Sequence, residues 1–317
     1  MEMHRMRQAL DGPPERDMLW IPGGSFTMGS EDHYPEERPL RPAQVKGFWI
    51  DRTPVTNRDF ARFVEATGHR TVAETPPDPE DYPGALPEML IAASVVFTPP
   101  DRPIDPRGPV TQWWAMVPGA DWRHPTGPES GIEGLEDHPV VHVALADVEV
   151  YAAWAGADLA TEAEWEFAAR GGLVDVEFAW GDSFLVDGAH MANTWQGEFP
   201  YANSLEDGWL RTSPVGSFPA NGYGLADMIG NVWEWTADWW STPVVQSRHC
   251  CSVEPRSPSR EDSVEAGAPI AIPRRVLKGG SHLCAPNYCR RYRPAARHAH
   301  PIDTSTSHIG FRCVIRP

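Results

Sequence analysis

Cys284 and Cys289, two thiols five positions apart, are the residues of this chain best suited to chemistry. They lie in Lys278-Gly279-Gly280-Ser281-His282-Leu283-Cys284-Ala285-Pro286-Asn287-Tyr288-Cys289. On a helix, five steps of roughly 100° place the side chains about 140° apart, so the sulfurs would diverge. On a strand an odd offset sends them to opposite faces. Pro286 disfavours a continuous helix, and Pro286-Asn287 is a turn signal. If the sulfurs meet, they meet across a turn. Converging thiols admit three chemistries. They can be a structural pair, as buried free thiols or a disulfide. They can bind zinc, although a structural zinc site wants four N/S ligands and only His282 is near. They can hold a soft d¹⁰ ion such as Cu(I), which thiolates select and which leaves room for a third sulfur. Spacing does not choose among these.

The elements that must position the thiols are partly legible. Met18-Leu19-Trp20-Ile21 reads as a strand closed by Pro22-Gly23-Gly24, and Phe26-Thr27-Met28-Gly29 resumes it, which predicts a hairpin of the two. Thr56 is a helix N-cap with Asp59 in the first turn, Phe60, Phe63 and Val64 share a face, and Gly68 is the stop. A second helix is expected from Asp147 to Trp154, ending near Gly156. A third begins at the capping box Thr161-Glu162-Ala163-Glu164 and ends at Gly171-Gly172. Two Pro-rich stretches, about Thr75 to His138 and Ser241 to Pro273, read as long loops. Residues 1–17 read as a disordered N-terminus, and 18–317 as one domain.

Composition narrows the function. The 317 residues include 41% hydrophobic residues and 14 Trp, enough for a core anchored on indoles, while 33 Pro and 27 Gly predict much irregular chain. A net charge of −17, from 44 acidic and 27 basic residues, argues against nucleic acid. No apolar run approaches the ~18 residues of a membrane span. Residues 1–18 lack the apolar core of a signal peptide, so a cytoplasmic location and no membrane partner are expected. Five Cys, an odd and sparse set, suit reduced thiols.

The C-terminal segment resembles the active-site segment of formylglycine-generating enzymes. The residues that carry the likeness are Gly279-Gly280-Ser281, Cys284, Cys289, Arg291-Tyr292-Arg293-Pro294-Ala295-Ala296-Arg297 and Gly310-Phe311-Arg312-Cys313. Outer motifs fall in family order: Ile21-Pro22-Gly23-Gly24, His138-Pro139-Val140-Val141, Thr161 to Glu166, Asn221 to Leu225, and Gly230-Asn231-Val232-Trp233-Glu234-Trp235. The outer motifs are shared with iron-dependent sulfoxide synthases and noncatalytic domains. The two cysteines are the specific part.

The resemblance implies an α+β, C-type-lectin-like single domain with short strands, few helices and much irregular structure. It implies a copper-dependent oxidase that converts a cysteine in an unfolded sulfatase-type Cys-x-Pro-x-Arg segment to Cα-formylglycine. Cys284 and Cys289 would hold Cu(I), the substrate thiolate would join them, and O₂ would be reduced with electrons from an external thiol. A hydrogen would leave the substrate Cβ, and a thioaldehyde would hydrolyse. Ser281 would orient oxygen or substrate, and Trp233 would line the pocket. The plainer readings are a turn residue and core. Arg290, Arg291, Arg293 and Arg297 would bind substrate, or else pair internally with acids. Structural Ca²⁺ would sit on Asn193, Asp207 and the carbonyls of Thr194 and Trp209. A second Ca²⁺ would sit on Asp227, Glu234 and the carbonyls of Gly230 and Val232.

Some positions depart from the family. Ala285-Pro286 replaces a common His and polar residue. Pro294 and Ala169 replace disulfide cysteines, leaving Cys313 unpartnered. Pro301-Ile302-Asp303-Thr304-Ser305 differs near the expected substrate groove. Cys250 and Cys251 have no evident role. Two alternatives share the fold: a noncatalytic binding module, and an iron-dependent sulfoxide synthase. The latter takes its iron ligands largely from an added helical bundle, which nothing here is long or helical enough to form, and His138 and His142 have metal spacing only on a helix. Pro139-Val140-Val141 there suggests a strand.

Overall fold

The computed structural model describes residues 16–242 and 258–317, so Cys250 and Cys251 lie outside the described residues. The expected frayed terminus, 1–17, also falls mostly outside them. Its last two residues hold ion pairs, Arg16 with Asp51 at 2.5 Å and Asp17 with Arg52 at 2.8 Å.

The chain opens with β1 (Met18–Ile21), β2 (Gly24–Met28), β3 (Arg41–Val45) and β4 (Phe48–Asp51). The predicted β1–β2 hairpin does not form. Instead β1 pairs with β4 and β2 with β3, in one register that runs from Met18↔Asp51 through Ile21↔Phe48 and Gly24↔Val45 to Met28↔Arg41. Pro22-Gly23 is therefore a kink in one long arm. The opposite arm presses on it: a Cβ at Gly23, which has φ +73, would lie 2.6 Å from the Lys46 carbonyl carbon. The chain reverses at the far end, between β2 and β3.

Helix α1 (Asn57–Thr67) starts as expected. The Asp59 N–H donates to Thr56 Oγ1 at 3.2 Å, Asp59 completes a capping box, and Gly68 ends the helix in the left-handed region. The stretch expected to be loop from Thr75 to His138 contains an antiparallel pair, β5 (Ala93–Phe97) and β6 (Trp114–Pro118). The prolines between the two strands hid their pairing. Helix α2 (Leu145–Trp154) begins two residues before Asp147, because the Asp147 carboxylate accepts the Ala144 N–H at 2.9 Å and so caps the helix from within. Strand β7 (Asp158–Leu159) leads to α3 (Glu162–Ala169), capped by Thr161 and Glu164 as its sequence predicts. The short β8 (Leu185–Val186) and β9 (Ala189–His190) follow.

The last part of the chain builds the layer that carries the thiols. β10 (Trp233–Trp239) pairs antiparallel with β11 (Arg274–Lys278), which pairs with β12 (Arg297–Pro301). β13 (Ile309–Gly310) runs parallel to β10, and β14 (Cys313–Ile315) returns to pair with β4 and β7. The result is one α+β domain of three helices, two four-stranded sheets and much irregular chain among the described residues. No helix among them is long and apolar enough to cross a membrane.

Helix α3 packs against this layer through Trp165, whose Nε1–H donates to Glu234 Oε2 at 2.7 Å. Each Glu234 oxygen accepts two donors. Arg312 Nε lies 3.0 and 2.8 Å from Oε1 and Oε2, Arg312 Nη2 lies 2.8 Å from Oε1, and Trp165 takes the remaining place. Both charges are buried, so each depends on the other for solvation. Replacing Arg312 by Leu is expected to cost about 3–5 kcal/mol by leaving Glu234 charged and unpaired. Equilibrium denaturation checks this, and Arg312→Leu combined with Glu234→Leu should recover part of the loss.

Candidate active site

Strand β11 delivers the thiol segment through two glycines that must be glycines. Gly279 has φ +95, and a Cβ there would lie 3.1 Å from the Trp165 ring. Gly280 has φ +72, and its Cβ would lie 2.8 Å from the Arg291 carbonyl oxygen. Two stretches eleven residues apart in sequence thus touch backbone to backbone, which closes the loop holding both cysteines.

Within that loop a turn at the expected Pro286-Asn287 brings the thiols together. The Tyr288 and Cys289 N–H groups donate to the Ala285 carbonyl at 3.1 and 2.9 Å. Cys284 Sγ and Cys289 Sγ lie 3.3 Å apart, and both cysteines are free. Cys284 is buried and Cys289 half-buried, so the two thiols differ in exposure. Ser281 lies beside them: its N–H donates to Cys284 Sγ at 3.4 Å, and its Oγ accepts the Leu283 N–H at 3.2 Å.

The environments push the two thiols apart. Burial raises the Cys284 thiol well above its ordinary value. Its S–H then donates to Cys289, and this bond, with the nearby Arg291 guanidinium, lowers Cys289 to about 6. Arg291 Nη1 lies 3.8 Å from Cys289 Sγ, while the same guanidinium stacks on the Tyr34 ring at 3.9 Å and bonds Glu36 at 2.6 Å. The second sulfur is therefore the more readily deprotonated of the two.

The four expected substrate-binding arginines divide. Arg293 is buried against Glu37, with Nη1 to Oε2 at 2.8 Å. Arg297 is buried against Glu162 at 2.8 Å and lies over the Trp240 ring. Internal pairing occupies both. Arg290 pairs with Glu177 at 2.7 Å but is the most exposed of the four, and Arg291 is half-buried beside Cys289. Trp233 is buried in β10, its ring 5.5 Å from His298.

Sequence reasoning missed the N-terminal contribution. Tyr34, Glu36 and Glu37 meet the thiol segment across some 255 residues, and Tyr34 Oη accepts the Arg290 N–H at 3.0 Å. It also missed an aromatic wall. Tyr288, between the cysteines, stacks on Phe199 at 4.4 Å and meets Trp113 edge-on at 5.9 Å. Arg211 was missed as well. It has no carboxylate partner among the described residues, and its Nη2 reaches only the Phe97 carbonyl, at 3.5 Å. No local sequence signal marks any of these, because each depends on contact between distant segments.

The first expected calcium set offers one open oxygen donor. Asn193 Oδ1 is buried and has no partner, while its Nδ2 is anchored on the Arg211 carbonyl at 2.9 Å. The Asp207 carboxylate is oriented beside it by the Thr194 and Trp209 N–H groups, both at 3.0 Å. The Gln196 amide rests on the Thr194 carbonyl and on Asp207. The second set does not fit. Both oxygens of Glu234 are filled by Arg312 and Trp165, and Asp227 instead accepts the Gly216 N–H at 2.7 Å. His138 and His142 do not converge as metal ligands either. His138 Nδ1 meets Thr212 Oγ1 at 3.0 Å, and both nitrogens of His142 are taken, by Ser94 Oγ at 2.7 Å and the Pro125 carbonyl at 2.9 Å.

The profile of the Sulfatase-modifying factor enzyme 1-like domain matches residues 5–317. The chain belongs to the formylglycine-generating enzyme family. It is 51% identical over 304 residues to the formylglycine-generating enzyme of Mycobacterium tuberculosis, covering 95% of this chain and 98% of that one. It is also 37% identical to inactive C-alpha-formylglycine-generating enzyme 2 of Mus musculus, over 93% of this chain and 84% of that one. Among solved structures, PvdO from Pseudomonas aeruginosa superposes with a TM-score of 0.58 at 24% identity, covering 94% and 93% of the two chains, a likeness of fold alone.

The asymmetry of the thiols has a direct test. In the metal-free reduced protein at pH 7, iodoacetamide should modify Cys289 well before Cys284 and Cys313, as read by peptide mass mapping. Arg291→Gln should slow the Cys289 reaction roughly tenfold by raising its pKa.

Proposed function

We propose that this chain oxidises a cysteine of an unfolded sulfatase-type segment, Cys-x-Pro-x-Arg, to Cα-formylglycine, with O₂ as oxidant and an external thiol as reductant. The observation that carries this reading is the pair of free sulfurs 3.3 Å apart, on one buried and one half-buried cysteine. Relatives named formylglycine-generating enzyme, at 51% and 45% identity, support the reaction class.

Cys284 and Cys289 would hold Cu(I), whose chemistry is to bring sulfur and O₂ together in one electron-transfer site. The chain's own groups do the rest. The Ser281 N–H fixes the Cys284 sulfur, and the turn at Pro286-Asn287 fixes its distance from Cys289. Arg291 holds negative charge on Cys289, and Glu36 and Tyr34 hold Arg291. The exposed Arg290 is placed to meet carbonyls or carboxylates of an incoming peptide by charge-assisted bonds. Tyr288, Phe199 and Trp113 offer an apolar wall beside the sulfurs. The Asn193–Asp207 set would take a structural Ca²⁺.

A noncatalytic module is the second reading, favoured by the 37% identity to a relative named inactive. The intact thiol pair argues for the enzyme. Incubation with a Cys-x-Pro-x-Arg peptide, copper, O₂ and a thiol decides between them. The peptide should lose about 18 Da as SH and one H give way to an aldehyde oxygen. Cys284→Ser and Cys289→Ser should each abolish the change and tight Cu(I) binding. An intact peptide across several sequences would favour the module. For calcium, a chelator should lower the melting temperature of the native chain and leave that of Asp207→Ala unchanged.

A further inference from the structure

We propose that the free edge of β6 docks an extended stretch of the substrate polypeptide remote from its reacting cysteine, as an added strand. The inference rests on the substrate reading given above.

The hydrogen-bond alternation of the β5–β6 pair identifies the edge. Thr98 N–H donates to the Trp113 carbonyl at 2.9 Å, and Gly119 N–H to the Ala92 carbonyl at 3.1 Å. Positions between these alternate, so Trp114 and Met116, opposite Phe97 and Val95, turn their N–H and C=O groups away from the partner strand. On β5 the equivalent outward groups are engaged. Val95 N–H donates to the Ser305 carbonyl at 3.1 Å, the Val95 carbonyl accepts the Ser307 N–H at 3.0 Å, and Phe97 N–H donates to Ser307 Oγ at 3.1 Å. On β6 the outward backbone groups of Trp114 and Met116 have no partner among the described residues.

Proteins blunt such edges with charges, bulges or prolines, because an open apolar edge recruits other chains. This one is not blunted before its last residue: it reads Trp114-Ala115-Met116-Val117-Pro118. Met116 is 63% exposed, and Val110, in the turn that packs on β6, is 51% exposed. The edge is also joined to the site. Trp113, next in the chain, meets Tyr288 between the two cysteines, and the Trp114 ring lies 4.8 Å from that of His308. A strand laid along β6 would gain backbone bonds and cover apolar side chains, the mode of β-augmentation. An unfolded substrate brings the free N–H and C=O groups this requires. A second copy of the chain is opposed by the −17 charge each would carry.

The test uses the native chain and two peptides with serine in place of the reacting cysteine: a segment of roughly 25 residues, long enough to span well beyond the site, and its central five residues. By hydrogen exchange, the long peptide should protect the Trp114 and Met116 amides and the short one should not. Met116→Pro removes an N–H that the β5–β6 ladder does not use. It should weaken binding of the long peptide about fivefold, the worth of roughly one backbone hydrogen bond, and leave turnover of the cysteine-bearing five-residue peptide unchanged. Absence of protection, equal protection by both peptides, or protection that rises with protein concentration alone would overturn the proposal. If Met116→Pro does not fold, exchange in the native chain still decides. Failure of the native chain to convert the five-residue peptide would sink the catalytic reading instead, whatever happens at the edge.

Discussion

The thiol segment is held by cations that it and β11 reach out to carboxylates elsewhere in the chain. Lys278 is buried on Glu166 at 3.0 Å, Arg291 bonds Glu36, Arg293 is buried on Glu37, and Arg297 on Glu162. In a low-dielectric interior, neither partner of such a pair can be removed without leaving a desolvated charge. The pairs add little net stability over apolar packing, but they permit few alternative arrangements. They fix where the loop between Gly280 and Arg291 must lie, and hence where its two sulfurs point. The chain is strongly acidic overall, yet the segment from 290 to 297 carries four arginines, because local charge here answers particular carboxylates.

That framework explains the unequal thiols. One sulfur is turned inward, where desolvation keeps its proton. The other lies beside a guanidinium, where its charge is favoured. The two differ through their surroundings, with identical chemistry. The N-terminal stretch around Tyr34 and Glu36 holds the outer half of this arrangement, so the site depends on a contact between the two ends of the chain.

The comparison of the two calcium sets separates resemblance from fit. Both sets match a family pattern in sequence. Around Asn193 the structure leaves a buried oxygen without a donor, which a cation would satisfy. Around Glu234 the acceptor capacity is already filled by Arg312 and Trp165. The same residue types therefore serve different ends, decided by which neighbour arrives.

Sequence alone determined what is local. The caps of α1 and α3 were legible because Thr56 and Thr161 satisfy N–H groups three residues away, and the turn at Pro286-Asn287 was legible as the only place where Cys284 and Cys289 could meet. Only tertiary structure decided what is distant. The β1–β2 hairpin failed because Pro22-Gly23 reads the same as a reversal or a kink until the opposite arm packs against it. The β5–β6 pair was hidden because strands are defined by partners, and the local signal was dominated by proline. The division of the arginines into buried and available ones followed from carboxylates over 100 residues away, which no window of sequence contains.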